Sequence, residues 1–175
     1  MRNDRIVKPS QFSTIDTIGG GAFKSTIYVN QVDQSEHLAL TKGAIDVAKG
    51  PVLVRMHSFN TFDDIYSAER ALELHKAMEM INSEGLGAVV MLRNPSKTLF
   101  SDQLKEKAQT SDSTFRGYGI GAQILLDLGI HEMIVLSNTE RTLVGLEGYG
   151  LTIVDRKPIK ISKNEPVPVS DGFYE

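Results

Sequence analysis

The sequence predicts an α/β (α+β) fold in which an N-terminal antiparallel β meander leads into an α/β layer. Three features carry that expectation. Short apolar runs sit at hairpin spacing in the first third, apolar spacing switches to three and four residues near Asp63, and helical and strand-like runs alternate after Gly85. A chain of 175 residues can bury one core without staples, so a single domain is expected. It takes in residues 12–160; residues 1–11, polar and carrying Pro9, read as a linker or tail, and 161–175 as a C-terminal tail.

The meander is expected from strands at 26–29, 37–41 and 52–56, whose apolar cores are Ile27-Tyr28-Val29, Leu38-Ala39-Leu40 and Val52-Leu53-Val54. From 63 to 83 the positions Ile65, Ala68, Leu72, His75, Met78 and Ile81 fall on one helical face, behind a cap at Asp63 or Asp64. Gly85 and Gly87 end that helix. Ala88-Val89-Val90-Met91-Leu92, apolar on both sides, reads as a central strand covered on two faces. A short helix is expected at 102–108 behind a Ser101 cap, and another at 120–128, stopped by Gly129. A strand at 133–136, a short helix from Asn138 or Thr139 to Glu147, and a strand at 151–154 complete the parallel layer.

Composition excludes several functions. With 41% hydrophobic and 23% charged residues the chain has the balance of a soluble globular protein, and no apolar run nears the roughly 18 residues of a membrane span. Met1-Arg2-Asn3-Asp4-Arg5 is not a secretory signal, so the cytoplasm is the expected compartment and no membrane partner is expected. A net charge of −3 with scattered basic residues lacks the footprint of a nucleic-acid binder. There is no cysteine, which rules out disulfides, thiol catalysis and every cysteine-based zinc site.

Gly117-Tyr118-Gly119-Ile120-Gly121-Ala122 contains G-x-G-x-x-A, but the polar residues 111–116 before it are not strand-like, so a glycine-rich helix entry is the better reading than a dinucleotide site. Arg116 beside that helix start would favour an anion. The four histidines show no i, i+4 pair; His75 reads as a core histidine, whereas His57, at the strand end Arg55-Met56-His57-Ser58, is placed to reach a cleft. Asp63-Asp64 read as helix caps in preference to an acid–base or magnesium pair.

Four stretches in order resemble GTP cyclohydrolase II, most closely the form fused behind dihydroxybutanone phosphate synthase in bifunctional riboflavin enzymes. They are Glu36-His37-Leu38-Ala39-Leu40-Thr41-Lys42-Gly43; Pro51-Val52-Leu53-Val54-Arg55-Met56-His57-Ser58; Arg116-Gly117-Tyr118-Gly119-Ile120-Gly121-Ala122-Gln123-Ile124-Leu125; and Gly145-Leu146-Glu147-Gly148-Tyr149-Gly150-Leu151-Thr152-Ile153-Val154. The resemblance implies a loop after Ser58 whose three cysteines hold the zinc that activates water to open the guanine imidazole ring. Here Asn60 stands at the first cysteine and the other two are absent. It also implies that Arg116 occupies the position proposed to attack the α-phosphate, with Thr114 where the partner carboxylate belongs. The phosphate segment reads Leu92-Arg93-Asn94-Pro95-Ser96-Lys97, and Ser137-Asn138-Thr139-Glu140 replaces Thr-Asn-Asn-Pro.

The residues this resemblance nominates are therefore Arg116 as the catalytic position, and Arg55, His57, Ser58, Arg93 and Ser137 as nucleotide or phosphate contacts, with no metal and no cofactor. The expected role is a catalytically silent cyclohydrolase-like domain serving dihydroxybutanone phosphate synthase, as a homodimer, with weak binding of GTP or another phosphate. Two alternatives stand beside it: altered nucleotide-phosphate chemistry through Arg116 without zinc, and a nucleotide or flavin sensor without turnover.

Overall fold

The computed structural model describes residues 6–94, 99–108, 118–139, 146–162 and 164–167. Its elements in chain order are strands β1 (Val7–Thr17), β2 (Gly21–Asn30) and β3 (Glu36–Lys42), a 3-10 turn (Ile45–Val47), β4 (Val52–Phe59), helices α1 (Thr61–Tyr66) and α2 (Ala68–Glu84), β5 (Gly87–Arg93), α3 (Leu99–Ala108), α4 (Tyr118–Asp127), β6 (Glu132–Leu136) and β7 (Thr152–Lys157). All seven strands join one mixed sheet in the order β1-β2-β3-β5-β4-β6-β7. Pairing is antiparallel from β1 through β3 to β5, and parallel across β5, β4, β6 and β7. No helix among the described residues is long and apolar enough to cross a membrane.

Alternation along the strands divides the interior into two layers. On one face Val54 and Met56 of β4 and Ala88, Val90 and Leu92 of β5 pack under Ala122, Ile124 and Leu125 of α4. On the other, Leu53 and Val89 pack under Ala77, Met78 and Ile81 of α2. This explains the unbroken apolar run at 88–92: β5 has no solvent face. Gly121 lies against the sheet: a Cβ there would stand 2.2 Å from Met56 Cε, the end of a flexible side chain that would have to move aside. Gly119 and Gly121, in the glycine-rich entry, are thus both closely packed, against Tyr149 and Met56. Gly129, at φ +86°, follows the end of α4 in the left-handed conformation, as expected of a helix stop.

Five expectations are corrected. The third meander strand is β1, while the strand at Val52 belongs to the parallel layer, where it pairs with β5 and β6. Residues 7–11 are accordingly part of a strand rather than a linker. Pro9 is tolerated because β1 is the sheet edge and its register shifts between Pro9 and Gln11. The helix expected at 63–83 is two helices, since Ser67 adopts an extended conformation (φ −96°, ψ 105°) that ends α1 and caps α2. Asn60, rather than Asp63 or Asp64, caps α1. Helix α3 begins at Leu99, which places Ser101 inside it and not at its cap. The helix expected between Asn138 and Glu147 falls largely on 140–145, outside the described residues.

Candidate functional site

Topology singles out one end of the parallel layer. After β4 the chain passes to α2 on one face; after β5 it passes to α4 on the other. Where adjacent parallel strands send their connections to opposite faces, a crevice opens beyond their C-terminal ends, and α/β proteins bind ligands there. The residues at that crevice are Ser58 and Phe59 of β4, which pair with Leu92 and Arg93 of β5.

Two of the nominated side chains, Arg55 and His57, alternate with Val54 and Met56 and therefore point to the α2 side. There they meet carboxylates of the chain itself. The Arg55 side chain is 11% exposed; Nη2 donates to Glu73 Oε2 at 2.8 Å and Nη1 to the Leu136 carbonyl at 3.1 Å. Burial draws its pKa down, Glu73 pulls it back, and the nearby charge of Arg70 adds to the lowering. Arg55 stays charged in any case.

His57 is buried, with Nε2 3.1 Å from Asp64 Oδ1 in a contact whose direction misses hydrogen-bond geometry; Nδ1 has no polar partner among the described residues. Asp64 is the hub of this group. Its Oδ2 accepts from the Asn60 backbone N–H at 2.9 Å, and its Oδ1 accepts from Arg70 Nε at 3.1 Å. Burial pushes the Asp64 carboxyl up, but the contacts with His57, Asn60 and Arg70 outweigh it and hold the pKa below the usual value. Arg70 Nη2 also donates to the Ser58 carbonyl at 2.7 Å, tying the strand end to the first turn of α2.

The remaining nominated residues are spread around this core. Ser58 is exposed at the crevice, and the exposed Arg93 side chain ends β5, its backbone N–H donating to His37 Nδ1 at 3.2 Å. Ser137 is buried and closes a turn: its hydroxyl donates to the Thr139 carbonyl and accepts from the Thr139 N–H, at 2.9 and 3.1 Å. Arg116, the nominated catalytic position, lies outside the described residues, as do Thr114, Lys97 and Glu140. The structure therefore brings Arg55 and His57 beside internal carboxylates, and it takes up the Ser137 hydroxyl locally.

The model of the family GTP cyclohydrolase II matches residues 10–158. The chain belongs to this family. It is 35% identical over 163 residues to the riboflavin biosynthesis protein RibBA of Bacillus subtilis (strain 168), covering 83% of this chain and 41% of that protein. It is also 35% identical over 193 residues to RibBA of Chlorobium phaeovibrioides, covering 100% of this chain and 46% of the relative. Among solved structures it resembles RibBX of A. baumannii, described as a two domain 3,4-dihydroxy-2-butanone 4-phosphate synthase. The TM-score is 0.59 at 26% identity, over 89% of this chain and 41% of that one. The chain thus spans less than half the length of each of these relatives.

The zinc loop of GTP cyclohydrolase II can be tested against these side chains. Asn60, at the first cysteine position, uses Oδ1 to accept from the N–H groups of Phe62 and Asp63, both at 3.1 Å. Asp64 and His57 lie together, but with a guanidinium against them, and among the described residues no three His, Cys, Asp or Glu side chains are grouped to hold a metal. This donor set does not fit zinc, which takes thiolate, imidazole or carboxylate ligands and repels a neighbouring cation.

Sequence reasoning missed Glu73, Arg70 and Asn138, and took Asp64 for a simple cap. Asn138 Nδ2 donates to Glu73 Oε1 at 3.0 Å while its amide pairs both ways with the Ile159 backbone. The available signal was the Arg70-to-Glu73 spacing of one helical turn, on the first turns of a helix following the strand of Arg55 and His57.

Proposed function

We propose that this chain is a degenerate GTP cyclohydrolase II-like domain of riboflavin biosynthesis that does not perform zinc-dependent opening of the GTP ring. In this reading it serves dihydroxybutanone phosphate synthase as a structural or regulatory module in the cytoplasm. One observation carries the reading: the residue at the first zinc-ligand position, Asn60, is a helix cap, and the Asp64 carboxylate beside it is taken up by Arg70 while the His57 imidazole lies against that same carboxylate. A chain without cysteine cannot restore the missing thiolates. The likeness to a two domain 3,4-dihydroxy-2-butanone 4-phosphate synthase supports the synthase association.

The test uses untagged protein. Metal analysis is expected to give no stoichiometric zinc, and incubation with GTP no ring-opened pyrimidine; one tightly held zinc per chain, or turnover above the no-enzyme control, overturns the reading. We further propose a homodimer, which light scattering is expected to find at twice the 19.3 kDa chain mass and which a monomer at micromolar concentration would contradict.

A further inference from the structure

The carboxylate of Glu73 sits where an anionic ligand would be held. Two donors from separate elements converge on its two oxygens: Arg55 Nη2, from β4, on Oε2 at 2.8 Å, and Asn138 Nδ2, from the turn after β6, on Oε1 at 3.0 Å. Both donors are held in place by other bonds. Arg55 Nη1 reaches the Leu136 carbonyl, and the Asn138 amide is fixed by the N–H and carbonyl of Ile159. Arg55 Nε is buried with no partner among the described residues, and Arg70 adds positive potential. A planar fork and an amide N–H aimed at two oxygens suit a phosphate as well as a carboxylate.

We propose that this is a preformed phosphate site occupied in cis by Glu73, and that the Glu73 side chain excludes inorganic phosphate and phosphate esters from it. The donors remain when the carboxylate is removed, because none of their other bonds runs through Glu73. The proposal deepens the silent-domain reading, on which its biological meaning rests: a family member need not lose its phosphate donors to stop binding phosphate, if an internal anion takes them up.

Thermal melting of the full chain in inorganic phosphate, against chloride at equal ionic strength, tests it with Glu73→Ala. The variant is expected to gain a saturable rise in Tm with a half-effect at about 1–10 mM and a total on the order of 4 °C at ten times that concentration. The wild type is expected to show only the general salting effect of phosphate. Adding Arg55→Met to the variant is expected to abolish the rise. An identical phosphate response in wild type and variant overturns the proposal, and so does a rise that survives Arg55→Met. If the alanine variant does not fold in chloride, Glu73→Ser leaves the same space with a polar contact for Arg55. If neither folds, recovery of circular dichroism on adding phosphate is the supporting result and no recovery the overturning one. Zinc content and GTP turnover of the wild type judge the silent-domain reading independently, so either idea can fail alone.

Discussion

Helices α4 and α2 cover opposite faces of the same parallel strands, and they do so with different chemistry. Helix α4 buries Tyr118, Gly121, Ala122, Ile124 and Leu125, with Gly121 close against Met56 of β4. Helix α2 buries Leu72, Ala77, Met78 and Ile81 along its length, but its first two turns send Arg70 and Glu73 over the strand ends to Asp64 and Arg55. One of the stretches that resemble the family, Arg116 to Leu125, runs into α4, and its described part makes the scaffold. The zinc-loop departures, Asn60 and the residues after it, lie at α1 and α2, where the strand ends are neutralised from within. Sequence likeness at a glycine-rich turn therefore reports packing here; the state of the site has to be read from the other face.

That contrast predicts the largest effect on the α4 side. Leu125→Ala removes a fully buried side chain from the core, and is expected to destabilise the domain by about 2–5 kcal/mol, read as a shift in urea midpoint without a change in slope. A cost under 1 kcal/mol would mean that α4 is not the rigid scaffold described. On the α2 side the expected loss is electrostatic and pH-dependent. Asp64→Asn keeps the shape but weakens hydrogen bonds to a charged group, which costs about 1.5–3 kcal/mol at neutral pH. Because the folded-state pKa of Asp64 lies below the unfolded value, the unfolded chain binds more protons in the window between the two. The stabilisation is therefore complete above about pH 4 and lost as pH falls through the folded pKa. Wild-type stability should drop in that acid window, and the variant should drop less; parallel curves would remove Asp64 from the account.

Much of the fold could be read from the chain because periodicity reports burial. The run 88–92, the apolar face of 120–128 and the Gly129 stop all appear as strand, helix and stop. What failed was pairing and punctuation. Nothing in the Val52-Leu53-Val54 run distinguishes an antiparallel from a parallel partner, since the difference lies in which distant strand accepts its hydrogen bonds. Pro9 hid an edge strand, where a missing N–H costs nothing on the open side. Ser67 hid a helix break inside an unbroken apolar pattern. Of the site, Arg55 and His57 were visible as a strand end, but Glu73 and Asn138 were not: an acidic residue on a helix and an amide in a turn look like solvent-facing groups until the fold puts Glu73 against a buried guanidinium and Asn138 against Glu73.

The smallest expected effect tests whether the rebuilt edge can be returned toward the family by a single residue. Asn60→Cys restores a thiol at the first zinc-ligand position but removes an Oδ1 that accepts from two backbone N–H groups of α1. Cysteine has only a weak sulfur acceptor, so the cap is lost, at a cost of about 1 kcal/mol. The thiolate gains nothing in return: with Arg70 against Asp64 and no second cysteine in the chain, one sulfur cannot assemble four zinc ligands. The variant is thus expected to melt a few degrees below wild type, and to show the same deficit with zinc as with a chelator. A zinc-dependent recovery of Tm in Asn60→Cys would mean that His57 and Asp64 still form a latent metal site. The comparison between the two helices would then have to be redrawn, with the α2 side as intact as the α4 side.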